Sequence, residues 1–159
     1  MKLKSINPHD QSVIDELEIT SQVQVLDAVS KAKSAFKTWR FSPVSERVDY
    51  LKKYRQKIAD HKEDIAKLVS QEMGKPLRQS QEDIIFELEF VDYYINEGPK
   101  ALEDKKVLDK GKEQYRTVYE PYGVCAVIAP WNFPVSMFNS GVLPALLAGN
   151  TVVFKPSEY

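Results

Sequence analysis

Two apolar runs, Val124 to Ala129 and Thr151 to Phe154, joined by residues 130–150, constrain this chain more than any other feature. An uninterrupted apolar run of that length suits a strand buried on both faces, and such strands belong to parallel sheets. The joining segment is long enough for a right-handed helical crossover, so the three pieces predict a βαβ unit. Ligands of open parallel sheets sit beyond the carboxyl ends of the strands. Trp131 and Asn132 follow the first strand, and Lys155, Ser157 and Glu158 follow the second, so these side chains fall where a ligand would lie.

The chain upstream is of a different kind: charged, amphipathic and helical to about residue 105, whereas from about residue 121 it is nearly free of charge until Lys155. A turn at Asn7-Pro8-His9-Asp10 lies between short runs, Leu3 to Ile6 and Ser12 to Leu17, that can pair as a hairpin. Ser21 with Gln24 predicts a capping box for a helix whose apolar face is Val25, Val29, Ala32 and Phe36, ending near Trp39. Ser42-Pro43 predicts the start of a second helix, with Ser42 as N-cap and Val48, Leu51, Tyr54 and Ile58 inward. A third carries Ile65, Leu68, Val69 and Met73 and should stop at Gly74, before Pro76. A fourth, from about Gln79 to Glu97, turns Ile84, Leu88, Val91 and Ile95 inward and meets Gly98-Pro99. Lys110-Gly111-Lys112 reads as a turn, and Tyr115, Thr117 and Tyr119 alternate with Arg116, Val118 and Glu120 as in a half-exposed strand.

Several functions are disfavoured by composition. With 22 Lys+Arg against 23 Asp+Glu and a net charge of −1, no field draws the chain to nucleic acid or an anionic membrane. The polar start, Met1-Lys-Leu-Lys-Ser-Ile-Asn-Pro8, lacks the apolar core of a signal peptide, and no run is long enough to span a bilayer, so the expected location is cytoplasmic. Cys125 is the single cysteine, consistent with a reducing compartment. His9 and His61 are far apart with no cysteine beside them, so no metal site is expected.

The block Pro130-Trp131-Asn132-Phe133-Pro134, followed by Pro144-Ala-Leu-Leu-Ala-Gly-Asn-Thr-Val-Val-Phe-Lys-Pro-Ser-Glu158, resembles the first nucleotide-binding segment of the NAD(P)-dependent aldehyde dehydrogenase superfamily. Trp39 after a helix, Glu72-Met-Gly-Lys-Pro76 between helices and the alternating segment before Pro121 resemble the N-terminal region of the same family. The resemblance covers essentially the whole chain, and within the family the pattern is closest to the succinate-semialdehyde branch. It implies an α/β fold: an N-terminal helical layer, then the first βαβ unit of a Rossmann-like domain, incomplete at residue 159. The implied division is residues 1–105 as the helical part of the cofactor-binding domain, 106–121 as a strand segment of an oligomerisation sheet, and 122–159 as the βαβ unit. The family's second glycine motif, general-base glutamate and nucleophilic cysteine lie downstream of the Lys-Pro-Ser-Glu block, so this chain alone is expected to be inactive.

Site roles follow from the same resemblance. In the family the asparagine matching Asn132 donates a side-chain N–H to the aldehyde oxygen as it becomes an oxyanion, a contribution of ~3 kcal/mol to a barrier. By spacing alone its commoner meaning is a cap on the turn before a helix. Lys155 and Glu158 match the pair that holds the adenosine ribose, while Ile128, Pro130 and Trp131 line the path of the cofactor. Without the motif, Lys-x-x-Glu commonly marks a solvated loop. Ser157 either touches the ribose or a 2′-phosphate or closes the Pro156 turn. The cofactor is NAD or NADP, with a lean to NAD because a carboxylate beside the ribose opposes a 2′-phosphate. No Gly-x-Gly-x-x-Gly occurs, which predicts weak cofactor binding by these residues alone. Cys125, between Val124 and Ala126 with no charge nearby in sequence, reads as a plain strand cysteine rather than a nucleophile.

The implied partners are a small aldehyde and further copies of the same subunit, because an edge strand without a partner pairs readily with another chain. A second reading is a non-catalytic truncated product that pairs with a full-length subunit or has no function. In either case two strands leave sheet edges uncovered, so the isolated chain is expected to unfold with low cooperativity.

Overall fold

The computed structural model describes residues 2–111 and 113–158, so Lys112 of the expected turn lies outside the described residues. Strands β1 (Lys2–Ile6) and β2 (Val13–Glu18) form an antiparallel hairpin, as their flanking turn signals predict. Asn7 Oδ1 accepts the His9 N–H at 2.9 Å and Asp10 Oδ1 accepts the Ser12 N–H at 3.0 Å, so the turn's own side chains satisfy its backbone. Helices α1 (Gln22–Trp39), α2 (Val44–Asp60), α3 (Lys62–Met73) and α4 (Leu77–Ala101) follow. A second hairpin, β3 (Lys105–Asp109) with β4 (Gln114–Thr117), leads to β5 (Val124–Ile128), α5 (Pro134–Leu147) and β6 (Thr151–Lys155).

The predicted βαβ unit is present: β5 and β6 pair in parallel from Val124 opposite Thr151 to Ile128 opposite Lys155. Helix α5 covers one face, where Phe138 meets Phe154 edge-on at 5.1 Å and a Cβ on Gly141 would come within 2.6 Å of Val127. Helix α1 covers the other, and Thr151 Oγ1 donates to the Ala32 carbonyl at 3.0 Å. Burial on both faces fails at Ala126 and Ile128, which are exposed, because α1 meets the sheet at the strands' first residues and leaves their ends open on that side. Asn150 locks the start of the unit. Its Oδ1 accepts the Gly123 N–H at 3.0 Å, its Nδ2 donates to the Ala145 carbonyl at 3.1 Å, and it is itself buried.

The capping box at Ser21 and Gln24 and the left-handed Gly74 cap of α3 form as their sequence signals predict. Other expectations are corrected. Ser42 does not cap α2; its hydroxyl donates to the Trp39 carbonyl at 2.7 Å, closing α1 instead, and Pro43 takes the N-cap position. Helix α4 continues through Gly98-Pro99 to Ala101. Gly98 serves close approach rather than termination, since a Cβ there would lie 2.2 Å from Leu147 Cδ2 of α5. Pro99 falls in the last turn, so the hydrogen bond it forgoes lies at the end of the helix and interrupts no later turn. Leu68 points outward, and Ala66 takes the buried position beside Val69. Every described residue of β3 and β4 is exposed, so the alternation around Tyr115 is not matched by burial on either face.

The core is shared by the helices: Val48 and Leu51 of α2, Val91 of α4, and Leu143 and Leu147 of α5 are buried together. Beside it lies a buried polar chain. Tyr54 donates to Asn139 Oδ1 at 2.6 Å, Asn139 Nδ2 donates to Glu87 Oε2 at 2.7 Å, and Ser136 Oγ donates to Glu87 Oε1. Burial, and next the Glu87 carboxylate, hold the Tyr54 hydroxyl well above its ordinary value of 10.0. A group bound to its proton more tightly in the folded state contributes stability that is complete below the unfolded pKa and is lost as pH rises above it. The stability of the wild type should therefore fall progressively as pH rises above about 10. Tyr54→Phe should lack that component and should be weaker at neutral pH by about 1–3 kcal/mol, because Asn139 Oδ1 loses its donor. Urea unfolding across that pH range checks both signs.

Candidate functional site

The parallel register brings the two strand ends together, and the Ala129 N–H donates to the Lys155 carbonyl at 3.0 Å, prolonging the ladder past Ile128. Beyond it the chain diverges into the β5–α5 turn and the segment after Lys155. A cleft opens between them, walled by Ala129, Pro130, Trp131, Phe154 and Pro156, with Ser157 at its polar end. Met73 of α3 reaches the same cleft, because the hairpin and α3 are joined at this end of the molecule. Ser5 Oγ donates to Glu72 Oε1 at 2.7 Å, and Pro8 packs so close to Gly74 that a Cβ there would come within 2.9 Å of Pro8 Cγ.

Asn132 opens onto a neighbouring groove that it shares with Lys75, Gln79, Asp83 and Phe133. Met73 and Trp131 line both depressions, so the two meet across one indole ring. The turn holding Asn132 is stiffened by Pro130 and Pro134, each of which restricts its own backbone angle. Lys75 clamps it from outside: its ammonium lies 4.9 Å from the centre of the Phe133 ring and 2.5 Å from Asp83 Oδ2, and the side chain is only 17% exposed.

Of the residues named from sequence, Pro130, Trp131 and Ser157 line one cleft and Asn132 lines the adjoining groove. Lys155 and Glu158 form an exposed ion pair outside the lining of the cleft, and the hydrogen bond from Lys155 is the first cause holding the Glu158 carboxyl below its ordinary range. Ile128 projects from the opposite face of the strand, 75% exposed and outside the cleft. Cys125 lies half-buried within β5, away from both depressions. Sequence alone assigns no role to Lys75 or Glu87. Glu87 had a signal, since it falls three residues after Ile84 and four before Val91, on the buried stripe of α4.

A model of the aldehyde dehydrogenase family matches residues 1–159. The chain belongs to the aldehyde dehydrogenase family. It is 31% identical over 156 residues to the mitochondrial succinate-semialdehyde dehydrogenase of Arabidopsis thaliana, covering 98% of this chain and 30% of that protein. Among solved structures it is similar to an NADP dependent enzyme of E. coli, with a TM-score of 0.92 and 27% identity over 99% of this chain and 33% of the other. It is also similar to an NAD-dependent benzaldehyde dehydrogenase of Corynebacterium glutamicum, with a TM-score of 0.89 and 28% identity over 99% of this chain and 34% of the other. The chain thus spans about a third of the length of these aldehyde dehydrogenases and related enzymes, and both nucleotides occur among them. No helix of the described residues is long and apolar enough to cross a membrane.

Lys75 is expected to stabilise the turn of this aldehyde dehydrogenase segment through both its ring and its carboxylate contact. Lys75→Ala should lower stability by about 1–2 kcal/mol in urea unfolding. It should also raise the mobility of the Phe133 ring, read from its NMR line widths.

Proposed function

We propose that these residues are the N-terminal part of an aldehyde dehydrogenase that oxidises an aldehyde to a carboxylic acid with NAD or NADP as hydride acceptor. The observation that carries this reading is the meeting of two depressions at Trp131: a largely apolar cleft that includes Ser157, and a polar groove that includes Asn132. In this assignment Pro130, Trp131 and Ser157 meet the cofactor at the strand ends, and the exposed Lys155–Glu158 pair, outside the lining of the cleft, offers a donor and an acceptor to ribose hydroxyls. The residues present fit the adenosine half of a dinucleotide in the way the strand-end rule for such sheets describes. When bound, the nicotinamide accepts the hydride. Asn132 acts on the substrate: its side-chain N–H stabilises the aldehyde oxygen as that oxygen takes on negative charge. Ile128 is paired with Lys155 in the ladder and exposed on the same face as that side chain, so any part it has in the cofactor path lies on the Lys155 side of the strand ends and not in the cleft.

In the same reading residues 1–105 and 122–159 belong to the cofactor-binding domain, and residues 106–121 belong to a sheet that joins copies of the subunit. The full exposure of β3 and β4 supports that assembly, because an unpaired edge is a template for another strand. The nucleophilic cysteine and general base would come from outside these residues, so the isolated chain is assigned binding but no turnover. The single cysteine of the chain supports a cytoplasmic setting. The substrate would be a small aldehyde, and its closer identity depends on side chains beyond these.

The protein as its native cell makes it should reduce NAD or NADP in the presence of at least one member of a panel of small aldehydes, followed by absorbance of the reduced nucleotide. No reduction with any aldehyde, together with no saturable nucleotide binding, would sink the proposal. Asn132→Ala should lower kcat by about 10²–10³ with nucleotide affinity unchanged. Lys155→Ala should weaken nucleotide binding by roughly tenfold with kcat preserved at saturation. Removing the negative charge beside the ribose by Glu158→Gln should shift preference toward NADP by about tenfold, measured as the ratio of the two Kd values.

A further inference from the structure

Glu87 is a carboxylate with 2% exposure, and the partners of its two oxygens are neutral donors on α5, Ser136 and Asn139. Burying such a group among neutral donors is a poor way to gain stability, because desolvation opposes what the hydrogen bonds return. What the arrangement supplies is direction. Tyr54 donates to Asn139 Oδ1 at 2.6 Å, and this orients the amide so that its N–H groups face Glu87. Ser136 is the third residue of α5 and Asn139 lies about one turn further on, so Glu87 grips the helix at the end from which the Asn132 turn departs.

The grip is transmitted over a short and stiff distance. The Met137 N–H donates to the Phe133 carbonyl at 2.9 Å, making Phe133 part of the first turn of α5. Pro134 restricts the backbone between them, and Lys75 holds the Phe133 ring from the α3–α4 connection. Asn132 is the next residue back. Its orientation is thereby fixed by contacts from two sides, one through Phe133 and one through Ser136.

We propose that Glu87 is a positioning residue, holding the first turn of α5 so that Asn132 presents its side-chain amide to the aldehyde oxygen at one angle. The proposal rests on the role assigned to Asn132 above. Glu87→Gln can preserve the whole chain of hydrogen bonds: Asn139 turns its amide over, the Tyr54 hydroxyl becomes an acceptor, and Ser136 keeps an oxygen to donate to. Glu87→Ala cannot.

In the complete enzyme, Glu87→Ala should lower kcat by about tenfold or more with nucleotide affinity unchanged, since small misplacements of a reacting geometry have effects of that order. Glu87→Gln should recover most of the loss. Combining Glu87→Ala with Asn132→Ala should be no worse than Asn132→Ala alone, because a residue that acts through Asn132 has nothing left to position. Effects that multiply, or a loss confined to KM, overturn the proposal. Amide hydrogen exchange of the same variants provides a readout independent of turnover. The amides of residues 137–140, the first of α5 to donate within the helix, should exchange roughly tenfold faster in Glu87→Ala and return toward wild type in Glu87→Gln, and unchanged protection in Glu87→Ala overturns the proposal. Exchange that responds to Glu87 while Asn132→Ala leaves kcat intact would uphold the positioning and remove the role of Asn132.

Discussion

The parallel pairing of β5 with β6 is the constraint on which the site depends. A one-residue slip would move every side chain of one strand to the other face, so the register that sets Val127 beside Phe154 under α5 also sets where each strand ends. The buried amide of Asn150 locks that register at its start by joining the last turn of α5 to Gly123 at the head of β5. Five residues later the strand ends diverge, and the separation they leave becomes the cleft between Trp131 and Ser157.

The helical layer serves the same purpose from the other side. Helices α2 and α4 bury their apolar stripes against α5, and the contact of Gly98 with Leu147 lets α4 and α5 approach closely at one end. At the other end they are joined by Glu87, Ser136 and Asn139. Helix α5 is thus held along its length by apolar packing and near its start by directed polar bonds. Packing alone tolerates small shifts, whereas hydrogen bonds with fixed donors specify an angle.

Most of the elements were legible in the sequence because their signals are local. A capping box, a left-handed glycine and an apolar period act within a few residues, and Ser21, Gly74 and the stripe of α4 formed as they predict. The misreadings have a common cause. Ser42 and Gly98 carry the chemistry of helix ends, yet Ser42 found a nearer carbonyl in Trp39 and Gly98 was recruited by a neighbouring helix. Ile128 belongs to an apolar run, but burial depends on what lies over a strand, and α1 meets the sheet too early to cover it.

The sequence by itself determined the βαβ order, the family, and the placement of Trp131, Asn132, Lys155, Ser157 and Glu158 at strand ends, because periodicity and motif spacing are properties of a contiguous chain. Only the tertiary structure decided that Trp131 separates two depressions, that Ile128 faces away from them, and that Lys75 and Glu87 bear on the Asn132 turn. Those relations join residues about fifty positions apart through helix packing, and no local rule of backbone or side-chain preference reaches across that distance.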